Sequence, residues 1–522
     1  MDRRRFISTL AALGIAPAQS KSAVRRMLAL GASASDAEHE FFYKPHSAWP
    51  ADCIPFYKDG RFHLFFLLDW RNAAAHGEGT PWYKVVTSDF VHFEEEGEML
   101  PRGSINDQDL YVFTGSVIEA AGKYHIFYTG HNPHFPALGK PQEAVMHAVS
   151  DDLSHWRKVP SDTFFAPADR FEQNDWRDPF VFWNEEANEF WMLTAARLKA
   201  GLNRRRGCTV LSTSKDLQKW EIRRPFWEPN LYFTHECPDL FRIGEWWYLV
   251  FSEFSDLVRT RYRMSRSLAG PWMAPKEDYF DARAFYAAKT ASDGKRRFLF
   301  GWIPTRSGGE DYRRWDWGGN LAVHELHQES DGTLSVQMPM SVEQAWSKGV
   351  PVSFPTRVGN VSVSTNALQI SAPASFACAV NLNSPKSWKL NFTLKFGSGT
   401  RGCGLMLHTA SNIDDTYYVR FEPLRNRLVL DQWPRGKAAE YSIPSVEGEH
   451  VPDMTRWIQC DPEVPLNVEV IVDGTIAIVY VNHRIAMSMR LYDLDSSGWG
   501  FFATQGTAEF TDIKMKALNS EG

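Results

Sequence analysis

A repeated pattern runs through the N-terminal part of the chain, and its first copy reads Asp52-Cys53-Ile54-Pro55-Phe56-Tyr57-Lys58-Asp59-Gly60-Arg61-Phe62-His63-Leu64-Phe65-Phe66. An acidic residue opens this copy, a short apolar strand follows, and the polar turn at Asp59-Gly60 leads into an aromatic-rich strand. Two later copies begin Asp178-Pro179-Phe180-Val181-Phe182 and Glu236-Cys237-Pro238-Asp239-Leu240-Phe241. We therefore expect three similar β-hairpins, each opened by an acid.

A second element recurs between these hairpins. Its copies are Ser88-Asp89-Phe90-Val91-His92-Phe93, Ser150-Asp151-Asp152-Leu153-Ser154-His155-Trp156, Ser214-Lys215-Asp216-Leu217-Gln218-Lys219-Trp220 and, more loosely, Ser265-Arg266-Ser267-Leu268-Ala269-Gly270-Pro271-Trp272. Subtracting the numbers of the opening serines gives spacings of 62, 64 and 51 residues. A repeat of this length with short strands and turn residues is typical of the four-stranded blade of a β-propeller.

Five aromatic-rich strands give the number of blades. They are 62–67, 124–128, 190–193, 247–251 and 298–302. The sequence therefore predicts an all-β fold that begins with a five-bladed β-propeller. The first strand of each blade lines the central channel, so acids at the starts of these strands should converge at one mouth. Glu236 is offset by one residue, and because strand side chains alternate between faces, it needs a bulge or a strand end to join the others.

The composition changes after about residue 340. Residues 348–358 hold a glycine and two prolines, and we interpret them as a linker. Short strands continue beyond it, and 390–396 alternates apolar and polar residues as in a half-buried sheet. We predict a C-terminal β-sandwich beside the propeller. The expected domains are an export signal with a linker at 1–40, the propeller at 41–347 and the sandwich at 358–522.

The N-terminus resembles an export signal. Asp2-Arg3-Arg4-Arg5-Phe6-Ile7 precedes a modest apolar run that ends in the small residues Ala16-Pro17-Ala18. An arginine pair followed by Phe6 is similar to a twin-arginine signal, which would place the protein in the periplasm or outside a bacterium. The alternative is a basic start with no role in targeting. A second pair, Arg25-Arg26, leaves the cleavage site open, and no other run of about 20 apolar residues suggests a membrane span.

Composition and charge exclude some classes of function. The 522 residues include 57 basic and 63 acidic ones, for a net charge of −6, which does not favour nucleic-acid binding. The six cysteines are scattered, without the spacing of a metal site, and we expect free, buried thiols. We predict no metal and no cofactor. The oligomeric state stays open, with a monomer as the default.

The three acids are candidates for chemistry on a sugar. Cleavage of a glycosidic bond commonly uses one protonated and one ionised carboxyl group, and a third acid nearby raises the proton affinity of the donor. Aromatic residues, 14% of the chain, could supply flat platforms for sugar rings, although most must form the core. Each acid also has a structural alternative: Asp52 as a strand-end cap, Asp178 as the turn residue of an Asp-Pro pair, and Glu236 as an ion-pair partner.

Several motifs together resemble those of glycoside hydrolase family 32, the invertases, inulinases and levanases. The similar stretches are Phe113-Thr114-Gly115-Ser116, Trp176-Arg177-Asp178-Pro179, Glu236-Cys237-Pro238-Asp239, Phe285-Tyr286-Ala287-Ala288-Lys289-Thr290, Phe300-Gly301-Trp302, Trp317-Gly318-Gly319-Asn320-Leu321 and Val472-Asp473-Gly474. The resemblance extends over roughly residues 41 to 515.

The resemblance implies a role for each acid and a set of sugar-binding residues. Asp52 matches the nucleophile of a retaining mechanism with a covalent fructosyl intermediate, Glu236 the acid/base and Asp178 the transition-state stabiliser. The residues implied to wall the sugar pocket are Trp49, Phe113, Thr114, Arg177, Tyr286 and Trp317. The implied substrate is a small sugar or an oligosaccharide with a β-fructofuranosidic bond, such as a sucrose-like disaccharide or a fructan.

The first motif departs from the family pattern. The family usually has Trp-Met-Asn-Asp-Pro-Asn-Gly, whereas this chain has Trp49-Pro50-Ala51-Asp52-Cys53-Ile54-Pro55. Ala51 replaces the Asn that contacts the sugar, and Leu67 replaces a Gln after the next strand. Three alternatives therefore remain: a related five-bladed glycosidase that acts by inversion on another furanoside; a fructosyltransferase; and a carbohydrate-binding protein without activity.

Overall fold

The computed structural model describes residues 39–364, 367–434 and 454–519, and the predicted export signal and linker at 1–40 lies outside them except for its last two residues. In this part of the chain the predicted fold class is confirmed: four-stranded sheets repeat as blades, and a second, larger β-structure follows. Two short helices, α1 (Ala73–His76) and α2 (Met340–Ala345), interrupt the strands. No helix among the described residues is long and apolar enough to cross a membrane.

Each blade is an antiparallel sheet whose strands follow one another along the chain. Blade I comprises β1 (Trp49–Lys58), β2 (Arg61–Asp69), β3 (Trp82–Thr87) and β4 (Glu94–Leu100); blade II comprises β5 (Tyr111–Ala120), β6 (Lys123–His131), β7 (Glu143–Ser150) and β8 (Arg157–Lys158). Blade III comprises β9 (Phe171–Asn184), β10 (Glu189–Leu198), β11 (Gly207–Ser214) and β12 (Glu221–Trp227). Blade IV comprises β13 (Glu236–Ile243), β14 (Trp246–Glu253) and β15 (Arg259–Ser265); blade V comprises β16 (Tyr286–Ser292), β17 (Arg297–Arg306), β18 (Trp315–Gln328) and β19 (Leu334–Gln337).

The five predicted aromatic-rich strands are the second strands of the five blades, β2, β6, β10, β14 and β17. Blade IV has three strands in its sheet, and isolated bridges at Met273 and Tyr279 take the place of a fourth on the outside of β15. The aromatic side chains of the second strands pack between blades: the ring centroids of Phe62 and Phe298, from blades I and V, lie 5.3 Å apart.

The repeated Ser-x-Asp element is a capped turn that follows the third strand of a blade. In blade III, Ser214 Oγ accepts from the amides of Asp216 and Leu217, and Asp216 Oδ1 accepts from those of Gln218 and Lys219. Blade II repeats this geometry around Ser150. In blade I, Thr87 and not Ser88 holds the serine position, because its Oγ1 accepts from Asp89 and Phe90. The alignment of Ser88 with Ser150 was therefore wrong by one residue, since threonine caps as serine does.

A β-bulge interrupts the first strand of every blade at the same level. In β1 the pairing passes from Ala51 with Leu67 to Ile54 with Phe65, so one extra residue is inserted. The other four bulges follow Phe113 in β5, Arg177 in β9, Glu236 in β13 and Tyr286 in β16. A bulge bends its strand and redirects side chains, so this level of the channel can present side chains that a regular strand would not.

The C-terminal structure is one hydrogen-bonded network of two layers, as predicted for a β-sandwich. Its strands are β20 (Trp346–Val350), β21 (Thr356–Val358), β22 (Asn360–Val363), β23 (Ala367–Asn381), β24 (Ser387–Phe396), β25 (Gly402–Thr409), β26 (Thr416–Glu422), β27 (Arg427–Trp433), β28 (Met454–Trp457), β29 (Leu466–Asp473), β30 (Ile476–Val481), β31 (Ile485–Arg490) and β32 (Gly498–Leu518). The first half of β32 pairs with β25 and its second half with β24. The long strands β23 and β32 thus run from one layer into the other.

The segment predicted as a linker belongs to this sheet instead. Lys348 pairs with Ala517 in β32, and Arg357 pairs with Ala379 in β23. Its two prolines fall between β20 and β21, where no ladder hydrogen bond is lost. The predicted limits of 41–347 for the propeller and 358–522 for the sandwich stay predictions.

Buried polar groups join the propeller to the sandwich. Asp281, before β16, accepts from the amide and hydroxyl of Ser488 in β31 at 2.7 and 2.6 Å and lies 3.0 Å from His324 Nε2 in β18. Asp473 accepts from the amides of Phe41 and Phe42. The two domains therefore share one packed interface. All six cysteines are unpaired, as predicted; five are buried, and Cys460 is half-buried.

Candidate active site

The bulges bring the three acids to one level of the central channel. Asp52 and Asp178 are the inserted residues in β1 and β9, with φ values of 44° and 61°. Cys237 holds the equivalent position in β13 with φ of 51°, and Glu236 precedes it at the first residue of the strand. The offset of Glu236 in the sequence is therefore real: it lies where Arg177 lies in blade III, and the strand end allows it to reach the channel.

Asp52 is held by donors from two other blades. Thr114 Oγ1 donates to Oδ2 at 2.6 Å, and Trp302 Nε1 donates to Oδ1 at 3.2 Å. Burial raises the pKa of Asp52 to about 6; the Thr114 and Trp302 hydrogen bonds lower it, and the charge of Glu236 raises it. Asp52 is thus a fixed carboxylate whose proton affinity is above that of an ordinary aspartate.

Asp178 is buried, with 3% of its surface exposed. Its amide donates to Thr129 Oγ1 at 2.7 Å, and its Oδ2 accepts from the Cys237 amide at 2.8 Å. Burial raises the pKa of Asp178 to about 7; Arg177 lowers it, and the charges of Glu236 and Asp52 raise it. Close carboxylates that disfavour each other's ionisation are the arrangement in which acid and base roles separate.

Glu236 is oriented through both of its oxygens. Arg177 Nη2 donates to Oε1 at 3.0 Å, and the Tyr286 hydroxyl donates to Oε2 at 2.8 Å. Arg177 and Tyr286 hold the same position before the bulge in blades III and V that Glu236 holds in blade IV. Three adjacent blades therefore fix the direction of this carboxyl group.

Arg177 is itself held by acids behind the site. Its Nη1 lies 3.3 Å from Glu143 and 2.9 Å from Asp175. Against the effect of burial, the Arg177 guanidinium and a contact with His131 bring the pKa of Glu143 down to about 2. Asp175 also pairs with Arg197 at 3.3 Å. These pairs lock the guanidinium in one orientation.

Hydrogen bonds and one ring contact link the three acids in a closed circle around the channel axis. Thr114 Oγ1 donates to Asp52 Oδ2, Thr129 Oγ1 donates to the Thr114 carbonyl at 3.0 Å, and the Asp178 amide donates to Thr129. The Cys237 amide donates to Asp178 Oδ2, and the Tyr286 hydroxyl donates to Glu236. Trp302 closes the circle, because its ring lies 5.8 Å from that of Tyr286 and its Nε1 donates to Asp52 Oδ1. Each blade contributes at least one member. These contacts bring the three acids together as predicted, and their place at a mouth of the channel stays a prediction.

The predicted aromatic wall lies beside the acids, but one face of Trp49 is already covered by Arg71. The rings of Phe113 and Trp317 are half-buried and 6.2 Å apart. The guanidinium of Arg71 stacks 4.2 Å from the centroid of the Trp49 ring and donates to the Trp317 carbonyl, so one face of Trp49 is covered. At Gly318, with φ of 77°, a Cβ would come within 3.1 Å of the Pro50 carbonyl, so glycine permits this close approach.

The sequence did not identify some residues of the site. Trp302 appeared in a motif but without a role, and Thr129, Glu143 and Asp175 were not singled out. Trp302 and Thr129 lie on the second strands of blades V and II, whereas the predicted acids open first strands. The signal for Asp175 was an acid near Arg177, but the pairing of Arg177 with Glu143 depends on contacts between blades II and III.

This geometry can cleave a glycosidic bond. Three buried or half-buried carboxyl groups, held by hydrogen-bond donors from several blades and by a locked guanidinium, can provide a nucleophile, a proton donor and a hydroxyl-binding group. A five-bladed propeller with this set in its channel defines a glycoside hydrolase.

Comparison with known proteins gives the family. The profile of the glycosyl hydrolases family 32 N-terminal domain matches residues 43–339, and that of the family 32 C terminal matches residues 357–517. The chain belongs to glycosyl hydrolases family 32. Asp52, Asp178 and Glu236 all lie in the part matched by the N-terminal domain.

Relatives of known activity and structure align over most of the chain. A raffinose invertase of Escherichia coli is 25% identical over 504 residues, which cover 90% of this chain and 93% of that protein. The structure of sucrose-6-phosphate hydrolase from Lactobacillus gasseri superposes with a TM-score of 0.70 at 17% identity and covers 95% and 96% of the two chains. A variant of fructan 1-exohydrolase IIa from Cichorium intybus, in complex with 1-kestose, gives a TM-score of 0.70 at 15% identity, with coverage of 92% and 97%.

Proposed function

We propose that the protein hydrolyses the β-fructofuranosidic bond of a sucrose-like or fructan substrate, with retention of configuration, through a covalent fructosyl-enzyme intermediate. The closed circle of contacts that fixes Asp52, Asp178 and Glu236 carries this proposal. It is supported by the family and by the names of the relatives, which act on sucrose, raffinose or fructans.

The first step forms the intermediate. Asp52 Oδ attacks the anomeric carbon of the fructosyl unit while Glu236 gives a proton to the glycosidic oxygen, and the aglycone leaves as an alcohol. The donors Thr114 and Trp302 hold the Asp52 carboxylate in position for attack. Arg177 and Tyr286 orient Glu236 towards the leaving oxygen.

The second step releases the sugar. Glu236, now ionised, takes a proton from water, the resulting hydroxide attacks the anomeric carbon, and the bond to Asp52 breaks. Two displacements at one carbon restore the original configuration. Asp178, held by the Cys237 amide, is placed to accept hydrogen bonds from sugar hydroxyls, and these bonds strengthen as positive charge develops on the ring.

A substrate panel with matched variants tests the proposal. The purified protein, Asp52→Asn, Glu236→Gln and the exposed-acid control Asp169→Asn are incubated with sucrose, raffinose, inulin, levan and an aryl β-fructofuranoside. We expect turnover of at least one substrate by wild type and Asp169→Asn, and a loss of about 10³-fold or more in Asp52→Asn. Glu236→Gln should retain more activity on the aryl substrate, whose leaving group needs little protonation.

The products distinguish the alternatives. Proton NMR during the first minutes identifies the anomer released, and a retaining enzyme yields the β-anomer first. Inverted product indicates the inverting glycosidase, a product longer than the substrate indicates the transferase, and tight binding without turnover indicates a binding protein. Full activity of Asp52→Asn would remove Asp52 as the nucleophile.

We infer further that the protein is exported from the bacterial cytoplasm, which the basic start and small residues at 1–18 support. Export is tested by fusing residues 1–40 to a reporter that is active only in the periplasm, beside a fusion with Arg4→Lys and Arg5→Lys. Signal from the first fusion and its loss from the second are expected. Cytoplasmic retention of both would contradict export.

A further inference from the structure

An aromatic pair lies beside Glu236, in two segments of the chain that the catalytic steps above do not use. Phe233 precedes Glu236 by three residues, and Phe254 follows Ser252, the β14 partner of Glu236, by two. The ring centroids of Phe233 and Phe254 are 5.6 Å apart, and both rings are half-buried. The pair therefore lies beyond the rung of Glu236 and Ser252, at the end of blade IV where β13 begins.

Arg197 covers one face of the Phe233 ring. The guanidinium carbon lies 3.3 Å from the ring centroid, and Arg197 Nη1 donates to the Phe233 carbonyl at 3.1 Å. The Phe233 amide donates to Ser255 Oγ at 3.0 Å, which ties its backbone to the loop that carries Phe254. Arg197 is buried whereas Phe233 is half-buried, so the exposed part of the ring lies on its other face and its edge.

A chain of ion pairs connects the Phe233 ring to Glu236. Arg197 Nε lies 3.3 Å from Asp175 Oδ2, and Asp175 Oδ1 accepts from Arg177 Nη1 at 2.9 Å. Arg177 Nη2 in turn donates to Glu236 Oε1 at 3.0 Å. Paired guanidinium groups hold one orientation because their donors form a rigid fork. The side chains that orient the Glu236 carboxyl group therefore also fix the place of the Phe233 ring.

The Phe233 ring and the predicted aromatic wall serve different sides of the site. Phe113 precedes Thr114, which donates to Asp52, so the Phe113 ring lies on the side of the nucleophile. In the proposed reaction Glu236 protonates the glycosidic oxygen, and the leaving unit is attached to that oxygen. The leaving unit therefore extends past Glu236, towards the end of blade IV that carries Phe233.

Phe233 and Asp175 together provide the two kinds of contact that hold a sugar ring. Ligand pockets combine aromatic walls with a few placed polar groups, and a phenyl face can pack against the C–H face of a sugar. The Asp175 carboxylate, which has about four acceptor sites, uses two contacts on Arg177 and Arg197, so others remain for hydroxyl groups. The Asp175 side chain is 19% exposed, so a ligand can reach it.

We propose that Phe233 is a specificity-determining residue, whose exposed ring face binds the leaving-group sugar of the substrate. The inference rests on the proposed function, because it concerns the bond whose oxygen Glu236 protonates. It assigns Phe233 no part in proton transfer or in nucleophilic attack. The ligand is a sugar ring joined to the fructosyl unit through the glycosidic oxygen, and Asp175 accepts from its hydroxyl groups.

The test compares substrates whose leaving group is a sugar with one whose leaving group has no ring. The kcat/KM values for sucrose, inulin and methyl β-fructofuranoside are measured in wild type, Phe233→Leu and Phe233→Tyr. Leucine keeps an apolar cover on Arg197 without a flat ring, whereas tyrosine keeps the ring. We expect Phe233→Leu to lose roughly 3- to 10-fold on sucrose or inulin and less than about twofold on the methyl fructoside. Phe233→Tyr should keep the wild-type ratio.

Phe376→Leu is the matched control, because it removes a partly exposed ring from β23 in the sandwich. It should leave the kcat/KM values for all three substrates unchanged. Circular dichroism and thermal unfolding check that each variant is folded, and Phe233→Met replaces the leucine variant if that one does not fold. The pH profile of kcat/KM is also measured, because a ring that acts only through Arg197 and Arg177 would disturb Glu236 with every substrate.

Equal losses on sucrose and methyl β-fructofuranoside, or no loss on either, in a folded Phe233→Leu would overturn the inference. A pH profile that shifts alike with both substrates would do the same, since the ring would then serve only to cover Arg197.

Binding separates these outcomes from failure of the proposed function. Isothermal titration calorimetry with sucrose compares Asp52→Asn with the double variant Asp52→Asn, Phe233→Leu. Binding that is roughly 3- to 10-fold weaker in the double variant supports the role of Phe233 even if wild type hydrolyses no fructoside. Equal affinities, or no binding of sucrose to either variant, would overturn it.

Discussion

At the scale of single residues, the site concentrates backbone strain where the chemistry needs it. Asp52 and Asp178 both adopt positive φ, a region in which aspartate is tolerated better than most residues. Their short side chains therefore project into the channel from the inserted position. Glu236 lies one residue before the strained position, which Cys237 holds, and it reaches the channel from the strand end.

We expect Thr114 to influence the lower pH limit of activity through its hydrogen bond to Asp52. Because burial raises the pKa of Asp52 to about 6, kcat/KM should fall tenfold per pH unit below that value as the proposed nucleophile becomes protonated. Thr114→Val removes a donor that favours the charged form, so the acidic limb should move up by about one unit. The control is Thr194→Val, whose buried hydroxyl has no hydrogen-bond partner in the part of the chain that the structure describes. An unchanged profile in Thr114→Val would disconnect this limb from Asp52.

Asp178 should destabilise the folded protein at neutral and alkaline pH. An unfolded aspartate loses its proton near 3.8, whereas the folded one keeps it until about 7, so stability falls across that window as the pH rises. The difference corresponds to about 4 kcal/mol at most. At pH 8 the free energy of unfolding of Asp178→Asn should therefore exceed that of wild type by about 2–4 kcal/mol, so that the variant unfolds at a higher urea concentration. This difference should disappear near pH 4. Urea unfolding at both pH values checks this, and a gain of equal size at pH 4 would contradict the cause given.

At the scale of elements, the sequence predicts the hairpins and the blade count, because hydrophobic alternation and turn chemistry are local. It does not predict the bulges, since an inserted residue is defined by the pairing of two strands. The misaligned Ser88 has a different cause, because Thr87 caps the turn of blade I as a serine does in blades II and III. Ala51 and Leu67 were two separate departures in the sequence; in the structure they are partners in one rung, both fully buried. The departure from the family pattern at Ala51 is thus in direct contact with the departure at Leu67.

The capped turns should contribute to stability without affecting chemistry. Asp216→Ala removes an acceptor for the amides of Gln218 and Lys219. The free energy of unfolding should fall by about 1 kcal/mol, and Tm should fall by no more than about 2–4 °C in a chain of this size. Gln218→Ala removes an exposed side chain in the same turn and should leave Tm unchanged. The kcat/KM profile of both should match that of wild type. A shift of the acidic limb in Asp216→Ala would mean that the turn reaches the site.

At the scale of the whole molecule, the site depends on contacts between residues that are far apart in the chain. Trp302 lies 250 residues from Asp52, and Ser488 lies 207 residues from Asp281. The symmetry of the repeat predicts that the acids come together, but nothing in the sequence indicates the contact of Trp302 with Asp52 or that of Ser488 with Asp281. The family motifs supplied some of these residues without their contacts.

Asp281 should hold the propeller against the sandwich. Its removal leaves the buried amide and hydroxyl of Ser488 and the ring of His324 without their acceptor, so Asp281→Ala should lose about 3 kcal/mol at pH 7. Burial alone would raise the pKa of Asp281, but hydrogen bonds from His324 and Ser488 outweigh it and lower the pKa, so the loss should shrink as the pH falls below about 4. Urea unfolding against Asp169→Ala measures it, and equal stability of the two would exclude this role.

The most direct test of the central claim is to trap the covalent intermediate. Glu236→Ala is mixed with an aryl β-fructofuranoside, quenched in acid and digested, and the peptides are analysed by mass spectrometry. We expect an added fructosyl mass on the peptide that contains Asp52, and its absence in the double variant Asp52→Asn, Glu236→Ala. An adduct on Asp178, or turnover that releases product of inverted configuration without any adduct, would contradict it.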